Sequence, residues 1–143
     1  MKPQVFSLFI CLLLGFCSGC STFDRDFKAA RASNTIEGPW TGTWKSESSG
    51  HTDKLRCIVK AVAPGAYEAK FKAKYHTILS FGYVAHLKGT NQGTVFNFKG
   101  KADLGKLAGG VYSYDGNISP GHFHSIYTSK YDHGTFDLHR SGD

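Results

Sequence analysis

The 143 residues contain no G-x-S-x-G, no S-x-x-K and no H-E-x-x-H. Those patterns hold a nucleophile or a metal-activated water at a defined turn or helix face. Without them a non-enzymatic protein is expected, although a triad assembled only in space leaves no such trace. No apolar run reaches the ~20 residues that a permanent membrane-spanning helix needs. From residue 37 onward no helical pattern of ~12 residues is long enough to serve as a parallel crossover, which disfavours parallel sheets. Acidic residues are few, 11 against 17 Lys and Arg, so the formal net charge is +6.

What is present begins at the start of the chain. Lys2 precedes the uncharged run VFSLFICLLLGF, and Cys17-Ser18-Gly19-Cys20 follows. This is the layout of a secretory signal peptide over residues 1–19. Its end resembles a bacterial lipobox, with Cys17 standing where that pattern usually has Leu. The resemblance implies acylation of Cys20, and several acyl chains hold a protein firmly to a membrane. Ser21 rather than Asp follows the cysteine. In the enteric sorting pattern this implies an outer-membrane lipoprotein facing the periplasm. An ordinary cleaved signal, and therefore secretion, is the alternative.

The four cysteines do not form a disulfide framework. Cys11 and Cys17 lie in the leader and Cys20 is the candidate lipid site, which leaves Cys57 as a free, buried thiol. Residues 20–36 mix charges and small residues and are expected to act as a tether, with a helical turn or two in DRDFKAARA.

Residues 37–143 carry turn signals at ~8–12-residue intervals, the rhythm of an all-β domain. Strands are expected near 39–46, 54–63, 66–75, 79–89, 93–101, 107–117, 121–130 and 134–140. The clearest is Ala66 to Tyr75, where Tyr67, Ala69, Phe71, Ala73 and Tyr75 alternate with Glu68, Lys70, Lys72 and Lys74. Pro64-Gly65 suits a type II turn, and Gly134 is expected to be left-handed in a bulged turn. Eight short strands in an antiparallel up-and-down meander can close, or nearly close, into a small barrel and so remove both sheet edges.

Gly42-Thr43-Trp44 opens the first strand. A G-x-W at this place resembles the calycin superfamily, which includes lipocalins and avidins. That resemblance implies a Trp closing one barrel end beneath an Arg or Lys of a late strand, here Trp44 beneath Arg140. The domain as a whole, including AGGVYSYDG and YDHGTFDLHR, also resembles small uncharacterised bacterial lipoproteins, which implies no particular activity.

The expected function is binding of an apolar or amphipathic small molecule inside the barrel. The candidate lining is Tyr67, Phe71, Tyr75, Phe81, Tyr83, Phe96, Phe98, Tyr112 and Tyr114, whose phenols require polar partners. The alternative is a packed barrel acting as an envelope structural or interaction module. Arg56, Lys60, Lys70, Lys72 and Lys74 share an outer face that suits an anionic envelope surface. Export argues against a nucleic-acid partner. No cofactor is implied. His122-x-His124 spaces two imidazoles on one strand face, with His139 on the neighbouring strand, but no carboxylate stands at an obvious companion spacing. The pair is therefore taken as solvent-facing rather than as a metal site.

Overall fold

The computed structural model describes residues 22–76 and 78–141. The leader and Cys20 lie outside the described residues. Eight strands follow in chain order: β1 (Gly38–Ser46), β2 (Thr52–Ala63), β3 (Ala66–Tyr75), β4 (Leu79–Gln92), β5 (Val95–Asp103), β6 (Val111–Ile118), β7 (His122–Thr128) and β8 (His133–Arg140). Each pairs antiparallel with the next. β1 also pairs with β8, from Trp40 opposite Arg140 to Ser46 opposite Gly134, and this closes the barrel. The all-β meander expected from the turn rhythm is the observed architecture.

Alternation decides which face is inside. Leu55, Cys57 and Val59 on β2 meet Ala69, Phe71 and Ala73 on β3, and all are buried in the barrel core. Cys57 is fully buried and its thiol is free. Burial pushes its pKa well up.

Two local expectations are corrected. β6 starts at Val111 rather than near 107, because residues 106–108 form a 3-10 turn and Gly109 and Gly110 take positive φ, 97° and 75°. Gly134 has no positive φ. It is a regular β8 residue, and a Cβ there would overlap the Lys45 carbonyl oxygen across the β1–β8 closure. Glycine serves close strand approach at this position, not turn geometry.

The segment expected to be a tether lies against the barrel. Residues 22–29 are helical. Phe23 is 2% exposed, and the Arg56 guanidinium sits 5.4 and 5.2 Å from the Phe23 and Phe27 ring centroids. Asp24 accepts hydrogen bonds from Arg56 and Lys72, both at 2.8 Å. Lys72 points outward by strand parity, yet this helix buries it to 8% exposure. Downstream, Ile36 joins the barrel core.

The end of the barrel nearest residues 33–37 is closed by Trp40. Its ring is fully buried, and its Nε1–H donates to the Ile36 carbonyl at 3.0 Å. The Arg140 guanidinium lies 4.2 Å from the Trp40 centroid. It donates to the carbonyls of Glu37 (2.6 Å), Thr35 and Ser33, and to Pro120 on the next loop. The expected pairing of Arg140 with Trp44 is therefore wrong. The β1–β8 register sets Arg140 opposite Trp40 and Phe136 opposite Trp44. Four residues of strand, ~13 Å, separate the two indoles. G-x-W occurs twice in residues 38–44, and it is Gly38-Pro39-Trp40 that carries the arginine.

Candidate functional site: an aromatic cavity at the Trp44 end

The barrel interior is divided along its axis. Toward the Trp40 end it is filled. Phe123 packs edge-on against Trp40, Phe98 and Phe71 at centroid distances of 5.9, 5.6 and 6.2 Å, and Tyr67 meets Phe96 at 4.9 Å. Four of the expected lining residues, Tyr67, Phe71, Phe96 and Phe98, belong to this packing and do not line the open space. A barrel of eight strands leaves room for little more than its own side chains, and here bulky rings consume that room.

Toward the Trp44 end a cavity of about 450 Å³ remains. Of the candidate lining residues, Tyr75, Phe81, Tyr83, Tyr112 and Tyr114 border it. Trp44, Leu55, Ala73, Tyr127 and Phe136 complete the wall, and Leu104, Leu107, Ala108 and Asp132 stand at the loops. Tyr127 and Phe136 were legible from the parity of β7 and β8. The loop residues follow from the 3-10 turn, which strand patterning does not predict. Trp44 is turned aside by the hydrogen bond from its Nε1–H to the Lys74 carbonyl, 2.9 Å, and stacks on Tyr75 at 6.1 Å. It borders the cavity instead of plugging it. Ala73, at the centre of the wall, supplies volume by being small.

The phenols are not equivalent. Tyr127 Oη donates to Asp132 Oδ2 at 2.9 Å and borders the Lys45 carbonyl at 3.3 Å. Burial, reinforced by the Asp132 carboxylate, pushes its pKa up. Tyr114 is 4% exposed and its hydroxyl has no hydrogen-bond partner among the described residues. Burial raises its pKa, and that of Tyr83 rises well up for the same reason. The Tyr83 phenol interacts with that of Tyr114 but does not fully satisfy it. An unpaired buried hydroxyl costs ~1–3 kcal/mol. It is one of several polar points in a largely aromatic wall, beside the phenols of Tyr83, Tyr112 and Tyr127 and the Asp132 carboxylate.

Several large apolar side chains are exposed in the loops and strand ends at this end of the barrel, and Leu107 among them lines the cavity. Ile78 is 90% exposed, Leu107 97%, and Leu79, Val111 and Tyr131 are also exposed. A ring stack of Trp44, His51, Tyr75 and His76 forms one side, with centroid separations of 4.3 to 6.1 Å. His76 takes a positive φ of 51°, uncommon outside glycine, at the tip of the β3–β4 hairpin.

The outer basic face is only partly open. Arg56 and Lys72 are committed to Asp24, and Lys70 lies 3.6 Å from Asp26. A shallow groove over Thr41, Thr43, Lys54 and Lys74 remains beside them. Elsewhere on the exterior, His122 Nε2 and His124 Nδ1 each lie 3.0 Å from Asp137 Oδ1. Sequence spacing missed this carboxylate because the β7–β8 register, not chain proximity, brings it there.

These features define an eight-stranded, closed antiparallel barrel, half packed and half open. No family model matches the chain, and no curated protein sequence matches it significantly. Among solved structures it is similar to a redesigned β-barrel, with a TM-score of 0.57 and 16% identity over 78% of this chain and 96% of that one. This likeness is one of fold.

Proposed function

We propose that the chain is a lipid-anchored, non-enzymatic envelope protein whose barrel holds an apolar or amphipathic small molecule in the Trp44-end cavity. The observation that carries this reading is the cavity itself. Its volume lies within the ~300–1,000 Å³ range of small-molecule sites, its wall is aromatic, and one buried hydroxyl, that of Tyr114, is left unpaired. An amphipathic ligand would place its apolar body against Phe81 and Phe136 and its polar group on Tyr114. The exposed apolar side chains at this end, Ile78 and Leu107 among them, give such a ligand a surface of approach. The leader and Cys20 support the anchoring. The Trp40–Arg140 closure agrees with the calycin resemblance, carried by Gly38-x-Trp40 rather than by Gly42-x-Trp44.

The test is titration of the purified protein with an environment-sensitive fatty-acid probe. Saturable one-to-one binding with Kd of about 1 μM or tighter is expected. Ala73→Phe fills the cavity and should weaken binding by ~10-fold or more, while overpacking costs at most ~1–3 kcal/mol of stability. No saturable binding, or binding indifferent to Ala73→Phe, would favour a packed structural module. Anchoring is tested separately: Cys20→Ser should release the protein from membranes, and retention there would defeat the lipoprotein reading.

A further inference from the structure

On the outer wall of β7 and β8, away from the cavity, three ligating side chains converge. His122 and His124 are two residues apart on β7, so their rings leave the same face of the sheet. The β7–β8 register sets His124 directly opposite Asp137 and His122 directly opposite His139. The result is a patch of three imidazoles and one carboxylate on adjacent positions of an antiparallel pair. Within it His122 Nε2, His124 Nδ1 and an Asp137 carboxylate oxygen lie within 4.8 Å of one another.

We propose that His122, His124 and Asp137 form a surface site for a divalent late first-row metal ion, with Zn²⁺ as the reference ligand. Three protein ligands of the two-imidazole, one-carboxylate type suit Zn²⁺, Co²⁺, Ni²⁺ or Cu²⁺ and leave at least one position for water or an outside ligand. Mg²⁺ and Ca²⁺ prefer all-oxygen shells and fit poorly. The distances are near those required. Zn–N and Zn–O bonds of ~2.0–2.2 Å at tetrahedral angles set ligand atoms ~3.3–3.5 Å apart. Both nitrogens already lie 3.0 Å from the Asp137 oxygen. Small side-chain rotations, with no change of backbone, would open the triangle enough to admit an ion.

In the metal-free protein, N–H donors from both rings point at one carboxylate oxygen. The ion takes the place of those N–H groups once each neutral ring carries its proton on its other nitrogen, and an imidazole–carboxylate site of this kind binds more weakly as pH falls. Burial raises the Asp137 pKa, but the hydrogen bonds from His124 and His122 outweigh it and keep the carboxyl below its ordinary value. The three side chains are 55%, 38% and 52% exposed, so an ion reaches them without any opening of the barrel. His139, the register partner of His122, stands on the same face but outside the cluster of ligand atoms. The site touches no residue of the cavity and does not depend on the cavity being occupied.

The experiment is calorimetric titration of the chelator-treated full chain with ZnCl₂, repeated for His124→Gln, Asp137→Asn and His51→Gln. His51 and His76 form another imidazole pair, with centroids 4.6 Å apart, and so supply the control. One Zn²⁺ per chain is expected, with affinity falling ~10-fold or more in the first two variants and unchanged in His51→Gln. Co²⁺ in place of Zn²⁺ should give visible absorption bands that His124→Gln abolishes. Melting curves of the metal-free variants check that each is folded, which half-exposed substitutions should permit. Absence of saturable Zn²⁺ binding to the parent chain would overturn the proposal. So would binding that survives both His124→Gln and Asp137→Asn, or that is lost in His51→Gln.

Discussion

Replacing Arg140 by Ala tests whether the Trp40 end is held as described. The side chain is 6% exposed, covers the Trp40 ring at 4.2 Å, and donates to carbonyls of Glu37 and Thr35. A hydrogen bond from a charged donor contributes ~1.5–3 kcal/mol, and a desolvated cation–π contact ~2. Water will reach some of the freed carbonyls, so the loss should be about 4 kcal/mol rather than the full sum. Trp40→Ala should cost ~3–5 kcal/mol as a large aromatic deletion. Because the two side chains touch, the double mutant should lose ~1–2 kcal/mol less than the sum of the single losses. The same cycle between Arg140 and Trp44 should be additive within ~0.5 kcal/mol, since those side chains are far apart and share no partner. Urea unfolding of the six proteins, followed by circular dichroism, gives every term, provided the m-values agree. Additivity between Arg140 and Trp40, or coupling between Arg140 and Trp44, would refute the register argument.

Tyr114→Phe removes the unpaired hydroxyl, so the empty protein should gain up to ~1 kcal/mol; the same change should weaken a probe with a polar head more than a purely apolar one, and a loss of stability without a change in affinity would show that the hydroxyl is satisfied in solution. The hydrogen bond from Lys72, opposed by burial and aided by Arg56, holds the Asp24 pKa below its ordinary 3.8. A depressed carboxyl stabilises the docked helix above the unfolded pKa, and that contribution fades as pH falls through the folded value. Amide protection factors over residues 22–29, taken relative to the intrinsic exchange rate at each pH, should therefore fall below pH ~4 in the parent protein. Asp24→Asn should already exchange fast at neutral pH and show no such step. Cys57 should resist alkylation in the native protein and react once denaturant is added, as peptide mapping would show, and rapid native labelling would mean that β2 exposes the face assigned to the core.

The strands were legible because side-chain alternation is a local property. Tyr67 to Tyr75 declares its two faces without knowledge of any partner. Closure also followed, since an eight-strand meander leaves two edges that need covering. What stayed hidden depends on register, which couples residues far apart in sequence. Arg140 belongs to Trp40 and not Trp44 only because β1 and β8 pair in one particular alignment. Asp137 meets His122 and His124 for the same kind of reason. Four of the nine expected lining residues stand elsewhere on similar grounds. Parity says that Phe96 and Phe98 point inward, but not at which height along the barrel axis they stand, and height decides whether a ring fills the core or walls the cavity. The docking of residues 22–29 rests on Phe23 and Asp24, two side chains within a short polar stretch whose composition reads as a spacer.

The Arg140 clamp has a consequence for how the chain reaches its native state. Glu37 and Arg140 are 103 residues apart, and β1 meets its second neighbour only when β8 is in place. A growing or emerging chain can zip each hairpin to the one before it, yet β1 keeps a bare edge and Trp40 an uncovered ring until that final strand arrives. Pairings of such long sequence separation are the slow ones, since loop entropy is lost before any contact repays it. Folding should thus end with a single late closure event. Variants at Arg140 should mainly hasten unfolding if the clamp forms after the rate-limiting barrier, and slow folding if it forms before.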